Sequence, residues 1–171
     1  IHKALDLGIN WIDTAAVYGL GHSEEIVGKA VRGKRDKVFI ATKCAQVWDE
    51  KGNVSTHLGR ASMRREIEAS LRRLQTDHID LYQIHWPDRG TPVEDSWSEM
   101  AKFKAEGKVR YIGVSNFGVD LLERCEKIAH VQSLQPIYNM LERGIEPEII
   151  PYCRDHGIGI VAYSPMQSGL L

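Results

Sequence analysis

The apolar positions along this chain change period repeatedly. Short runs rich in β-branched residues, at 9–13 (INWID), 38–43 (VFIATK), 79–85 (IDLYQIH), 109–114 (VRYIGV), 134–137 (LQPI) and 158–163 (IGIVAY), read as strands. Between them the spacing turns helical. Across 62–74, Met63, Ile67, Leu71 and Leu74 recur at i, i+4, i+8 and i+11 and draw one helical stripe. Across 23–32, Ser23 is placed to cap, Glu24 and Glu25 suit the first turn, and Ile26, Val27, Ala30 and Val31 form the inward face. Thr91-Pro92-Val93-Glu94 has the form of a capping box with proline at the first helical position, and Gly107 ends that helix. Leu121, Leu122, Cys125, Ile128 and Ala129 mark another apolar face. The last helix falls within 146–156, with Ile149, Ile150 and Cys153 inward, Gly157 as its stop, and Pro151 forcing a late start or a bend.

Alternating βα units imply a parallel sheet covered by helices, but alternation does not choose between an open doubly wound sheet and a closed barrel. No G-x-G-x-x-G follows the first strand, which counts against a Rossmann domain; GLGHSEE lacks that spacing and reads as a turn before the capped helix.

Composition narrows the function classes. With 171 residues, 43% of them hydrophobic, the chain can bury one core or a large part of one. A net charge of −1 leaves no electrostatic footprint for nucleic acid or an anionic membrane, and no apolar run approaches the ~20 residues of a membrane helix. Cys44, Cys125 and Cys153 are odd in number and far apart, as expected of buried free thiols in a cytoplasmic protein. The histidines are scattered without H-x-x-x-H, so no metal centre is expected.

The chemistry gathers where the strands end. Asp13, Lys43, His85, Ser115-Asn116, Gln135 and Tyr163-Ser164 occupy the last strand positions, the place where a barrel keeps its active site. Strand alternation puts Trp11 with Asp13, Phe39 and Ala41 with Lys43, and Leu81 and Gln83 with His85. A carboxylate and an ammonium above an apolar interior are costly unless paired, so Asp13 and Lys43 should meet. Tyr18, on the loop leaving Asp13, would lie against that ammonium, which favours phenolate and lowers the phenol's pKa. Such a tyrosine is a general acid for an alkoxide, and His85 would orient the carbonyl that becomes it. The combination suits carbonyl reduction with a hydride from a cofactor. Structural alternatives stand beside each reading: a strand-end ion pair can be purely structural, and Ser115 or Asn116 would also serve as a helix cap.

NWIDTAAVYG, VFIATK, SLRRLQTDHIDLYQIHWPD, GKVRYIGVSNF, LQPIYNMLER and GIVAYSPMQSGLL, in this order, resemble the aldo-keto reductase family from end to end of the chain. YQIHWPD, IEPEIIPYC and YSP…GLL are similar to its branch of general stress proteins and auxin-induced-type reductases. The resemblance implies an α/β fold, the (β/α)8 TIM barrel. By motif order strands one and eight are lacking, so that 1–171 is a single domain forming the central part of such a barrel, with six βα units and two unpaired sheet edges. It implies NADPH-dependent reduction of a small-molecule aldehyde or ketone, with Tyr18 as general acid, Lys43 and Asp13 as its tuning pair, and His85 on the carbonyl. Ser115, Asn116 and Gln135 match side chains that hold the nicotinamide carboxamide, and Tyr163 the aromatic that stacks on its ring. Ser164, Pro165, Met166, Gly169 and Leu170 match the loop along the pyrophosphate. Trp86, and with it Trp48 after Lys43, is expected in the substrate pocket. Two other expectations compete with a working reductase: a cofactor-binding regulatory subunit of the channel-associated kind, and an inactive fragment.

Overall fold

The computed structural model describes all 171 residues. Six helices, α1 (His2–Asp6), α2 (His22–Ala30), α3 (Arg60–Leu74), α4 (Val93–Ala105), α5 (Val119–Glu126) and α6 (Ile149–His156), are interleaved with eight strands. These are β1 (Trp11–Asp13), β2 (Phe39–Cys44), β3 (Gln46–Trp48), β4 (Val54–Thr56), β5 (Ile79–Ile84), β6 (Val109–Ser115), β7 (Ser133–Gln135) and β8 (Gly159–Ile160). Six of the strands form one all-parallel sheet in the order β1-β2-β5-β6-β7-β8. The sheet curls into a half-barrel.

Side-chain alternation gives the sheet two different faces. Ile40, Cys44, Tyr82, Ile84, Ile112, Val114 and Leu134 point outward and join one continuous core with Met63, Ile67, Leu74, Trp97, Met100, Phe103 and Leu122 of the helices. Each such side chain, removed from water, contributes roughly 2 kcal/mol against the entropy of ordering the chain. The concave face carries Trp11, Asp13, Phe39, Lys43, Gln83, Tyr111, Ser115 and Gln135, polar toward the ends of the strands. Near its opposite end Trp11 stacks on Phe39 at 4.1 Å between ring centroids. Lys43, Gln83, Gly113 and Ser133 stand side by side in register across four strands.

Several local expectations change. β3 and β4 form an antiparallel hairpin that the apolar pattern does not announce. Helix α2 starts after Gly21, whose φ of +97° suits glycine, while Ser23 Oγ bonds Thr14 Oγ1 at 2.8 Å instead of capping. Its inward face includes Glu24, fully buried between Thr42 Oγ1 (2.6 Å) and Arg73 Nε (2.7 Å), whereas Ile26 is exposed. The capping box before α4 does not form, because Thr91 Oγ1 donates to Asp88 (2.7 Å). Pro151 lies in the first turn of α6, where a missing N–H costs nothing, and Gly157 ends that helix in the left-handed conformation. Both edge strands, β1 and β8, are only two or three residues long. No helix is long and apolar enough to cross a membrane.

Candidate active site

The site is built around one buried cation. Lys43 rises from the concave face of β2 with its side chain wholly removed from solvent. Its Nζ donates to Asp13 Oδ1 at 2.5 Å and to the carbonyl of Thr14 at 2.8 Å. The other carboxylate oxygen, Asp13 Oδ2, accepts from Gln135 Nε2 at 2.8 Å. β1 and β7 are thereby joined across the rim by side chains 122 positions apart. An ammonium in this place is tolerable only because it is paired and hydrogen-bonded. Burial still lowers the Lys43 pKa below its ordinary value, with Asp13 acting in opposition.

Tyr18 comes from the turn that follows β1, closed by its own N–H on the Ala15 carbonyl (3.0 Å). Lys43 Nζ lies 5.4 Å from the centre of its ring, and His85 meets the ring edge-on at 5.8 Å. The expected depression of the phenol's pKa is not found. Burial raises it, and the charges of Asp13 and Tyr163 raise it further. The first cause is desolvation of the ring on the loop, and the carboxylate that makes the ammonium tolerable adds to it. Tyr18 therefore keeps its proton at neutral pH, which is the form a proton donor requires. His85 is pushed down to about 4, by burial first and by the Lys43 cation second, so its imidazole is neutral.

Beyond His85 the polar strand ends bond to one another. Ser115 Oγ donates to the Gln135 carbonyl (2.7 Å), so it does not cap the next helix, whose N-cap is Gly118. Asn116, held at a φ of +61°, donates from Nδ2 to the His85 carbonyl (3.1 Å) and to Ser115 Oγ (3.0 Å). Its Oδ1 accepts from the Tyr163 hydroxyl at 3.0 Å. Gln135 spends its amide N–H on Asp13, which leaves Oε1 as an acceptor facing the cleft.

Asp13, Tyr18, His85, Trp86, Ser115, Asn116, Gln135 and Tyr163 line one cleft of about 430 Å³, with Lys43 beneath it. Trp11 completes the wall; its place on Asp13's side of the strand was legible from alternation alone. Trp48 is not brought to the cleft. The β3–β4 hairpin carries it to a separate hollow beside α3, where Arg73 lies 5.8 Å from its ring. Ser164, Pro165, Met166, Gly169 and Leu170 follow Tyr163 on a loop outside the cleft wall, with Met166 and Leu170 exposed. A flat aromatic, two amides and a hydroxyl on one side of a protonated phenol and a neutral imidazole fit a planar heteroaromatic amide next to a reacting carbonyl.

Residues 1–171 match the aldo/keto reductase family over their whole length. The chain is 39% identical over 184 residues to the NADH-specific methylglyoxal reductase of Escherichia coli (strain K12), covering 100% of the chain and 56% of that protein. The structure of glycerol dehydrogenase AKR11B4 from Gluconobacter oxydans superposes with a TM-score of 0.95 at 46% identity, over 99% of the chain and 53% of that structure. That of an aldo/keto reductase from Klebsiella pneumoniae, in complex with NADP and acetate, superposes with a TM-score of 0.85 at 39% identity, over 98% and 57%. The chain spans about half the length of the curated relatives it matches.

Proposed function

Because the chain belongs to the aldo/keto reductase family, we propose that the protein reduces small aldehydes or ketones to alcohols at this cleft, with NADPH as reductant. Residues 1–171 serve in this reading as one domain of a (β/α)8 barrel, and the three buried free thiols suit the cytoplasm. The observation that carries the proposal is the convergence of Asp13, Lys43, Tyr18 and His85 from three strand ends beside the Ser115–Asn116–Gln135–Tyr163 wall.

When bound, the nicotinamide supplies a hydride to the carbonyl carbon. The chain's residues do the rest. Neutral His85 donates an imidazole N–H to the carbonyl oxygen and fixes its direction. As the new C–H bond forms, the π pair of the carbonyl moves to oxygen, and the Tyr18 hydroxyl protonates that oxygen. The product is the neutral alcohol, and Tyr18 is left as phenolate. The Lys43 ammonium then stabilises this anion, having been held in place by Asp13 and the Thr14 carbonyl. Exposure of the Tyr18 ring lets solvent return the proton.

On the cofactor side Ser115, Asn116 and Gln135 would hold the nicotinamide carboxamide, and Tyr163 would offer its ring to stack on. Ser164, Pro165, Met166, Gly169 and Leu170 would follow the pyrophosphate. Trp86 borders the substrate, and Trp48 lies outside that pocket. NADPH is favoured over NADH by the NADP complex of the Klebsiella relative, while the E. coli relative is named as NADH-specific. The test is to follow oxidation of each reduced nucleotide by the native-length protein with short aliphatic, α-dicarbonyl and aromatic aldehydes. Consumption matched one-for-one by alcohol, and faster with NADPH, is expected; no aldehyde-dependent consumption of either nucleotide would sink the reading.

A further inference from the structure

The loop after Tyr163 buries none of its side chains against residues 1–163, yet it adopts a demanding shape. Met166 and Leu170 are 62% and 73% exposed, and nothing in the segment 164–170 is buried. Ser164, Gln167, Ser168 and Gly169 all take positive φ, at +53°, +43°, +55° and +91°. Three left-handed non-glycine residues in one short loop persist only where the surroundings hold them.

What holds them is Asn139, on the loop leaving β7. Its side chain is nearly buried, and every bond an amide can make is made. Nδ2 donates to the Ser164 carbonyl at 3.0 Å and to Gln167 Oε1 at 2.6 Å. Oδ1 accepts from the Leu141 and Glu142 N–H groups at 2.8 and 2.9 Å, which fixes the turn of its own loop. The two loops are also joined along the backbone, from Tyr163 N–H to the Pro136 carbonyl (2.9 Å) and from Tyr138 N–H to the Tyr163 carbonyl (3.4 Å). One side of the amide thus shapes the 138–142 turn, and the other grips the 164–167 turn.

We propose that Asn139 is a positioning residue for the dinucleotide, a clasp that presets the loop 164–170 in the shape its pyrophosphate requires. This rests on the assignment of that loop to the cofactor. Without the clasp, the loop must be ordered each time the nucleotide binds, and affinity falls by that cost. The hydride-transfer residues are untouched, so turnover at saturation should not change.

The experiment measures NADPH and NADH binding by fluorescence titration, with steady-state kinetics, on the native-length protein and on Asn139→Ala, Gln167→Leu and the double variant. Asn139→Ala should raise the NADPH Kd and KM by about tenfold, the scale of losing buried amide hydrogen bonds, and leave kcat within about twofold. The Gln167 side chain's hydrogen bond is to Asn139, so Gln167→Leu should weaken binding by a smaller factor, and the double variant should bind like Asn139→Ala. If Asn139→Ala does not fold, Gln167→Leu still carries the test. Wild-type binding by whichever of these single variants folds, or a fall in kcat at unchanged KM, would overturn the clasp alone. Failure of the wild-type protein to bind either nucleotide would overturn the cofactor assignment and the clasp together.

Discussion

Tyr18 is the residue at which electrostatics and function meet most directly. Its neighbour Lys43 is buried and paired with Asp13 at 2.5 Å, and the phenol's pKa rises, through burial first and the Asp13 charge second. The proton needed for carbonyl reduction is therefore present below that raised pKa and lost as pH climbs through it. His85, held down to about 4, stays neutral across the whole physiological range. We expect kcat/KM for reduction to be level from about pH 5 to about pH 8, without the inflection near 6.5 of an ordinary histidine. A pH–rate profile with a clear break in that window would contradict the neutral-imidazole role. Much of this site was legible residue by residue. Alternation along three strands placed Asp13, Lys43 and His85 on the concave face. The direction of the Tyr18 shift was not legible, because it depends on burial and on a third charge at a particular distance. The short polar residues misled in a consistent way: Ser23, Thr91 and Ser115 look like helix caps, but each spends its hydroxyl elsewhere, Thr91 on nearby Asp88 and the other two on partners more distant in the chain.

Among the elements, most helix-face positions and the Gly107 and Gly157 stops followed from the pattern, with Ile26 and Ile128 exposed against it, while ends and partners followed from contacts. The β3–β4 hairpin was missed because three-residue strands carry too little periodicity. Its turn residues, Asp49 to Gly52, were the available signal: Asp49 Oδ1 accepts from the Lys51 and Asn53 N–H groups, and Gly52 sits at a φ of +81°. That hairpin is why Trp48 leaves the cleft. Close approaches also govern how elements meet. A Cβ on Gly28 would lie 2.5 Å from the Arg73 carbonyl oxygen, so α2 packs on α3 at a distance only glycine allows. At the opposite end of the sheet from the site, the buried carboxylate of Asp80 joins three strands. It accepts from Arg35 (2.6 Å), Arg110 (2.9 Å) and the Ile40 N–H (2.9 Å). Asp80→Asn leaves two guanidinium groups without their counter-charge, and we expect a loss of about 3 kcal/mol in denaturant titration. Because the site lies at the other strand ends, kcat should be unaffected; a stability change below about 0.5 kcal/mol would show that the network is not structural support.

For the molecule as a whole, alternation of strand and helix patterns was enough to give a parallel sheet with helices over its outer face. Its curl was not readable from periodicity, since the same pattern serves open sheets and barrels alike; that came from the resemblance of six ordered motifs, and the family match and the curled six-stranded sheet agree with it. The curl matters because it turns strand ends into neighbours: Gln135 reaches Asp13 across the rim only because β7 and β1 face one another. The central claim is that this rim delivers a proton from Tyr18 to a carbonyl oxygen. The most direct test replaces Tyr18 with Phe in the native-length protein and measures kcat for aldehyde reduction together with NADPH affinity. We expect a fall in kcat of at least about a hundredfold with the NADPH Kd unchanged; turnover at the wild-type rate would rule out Tyr18 as the proton donor.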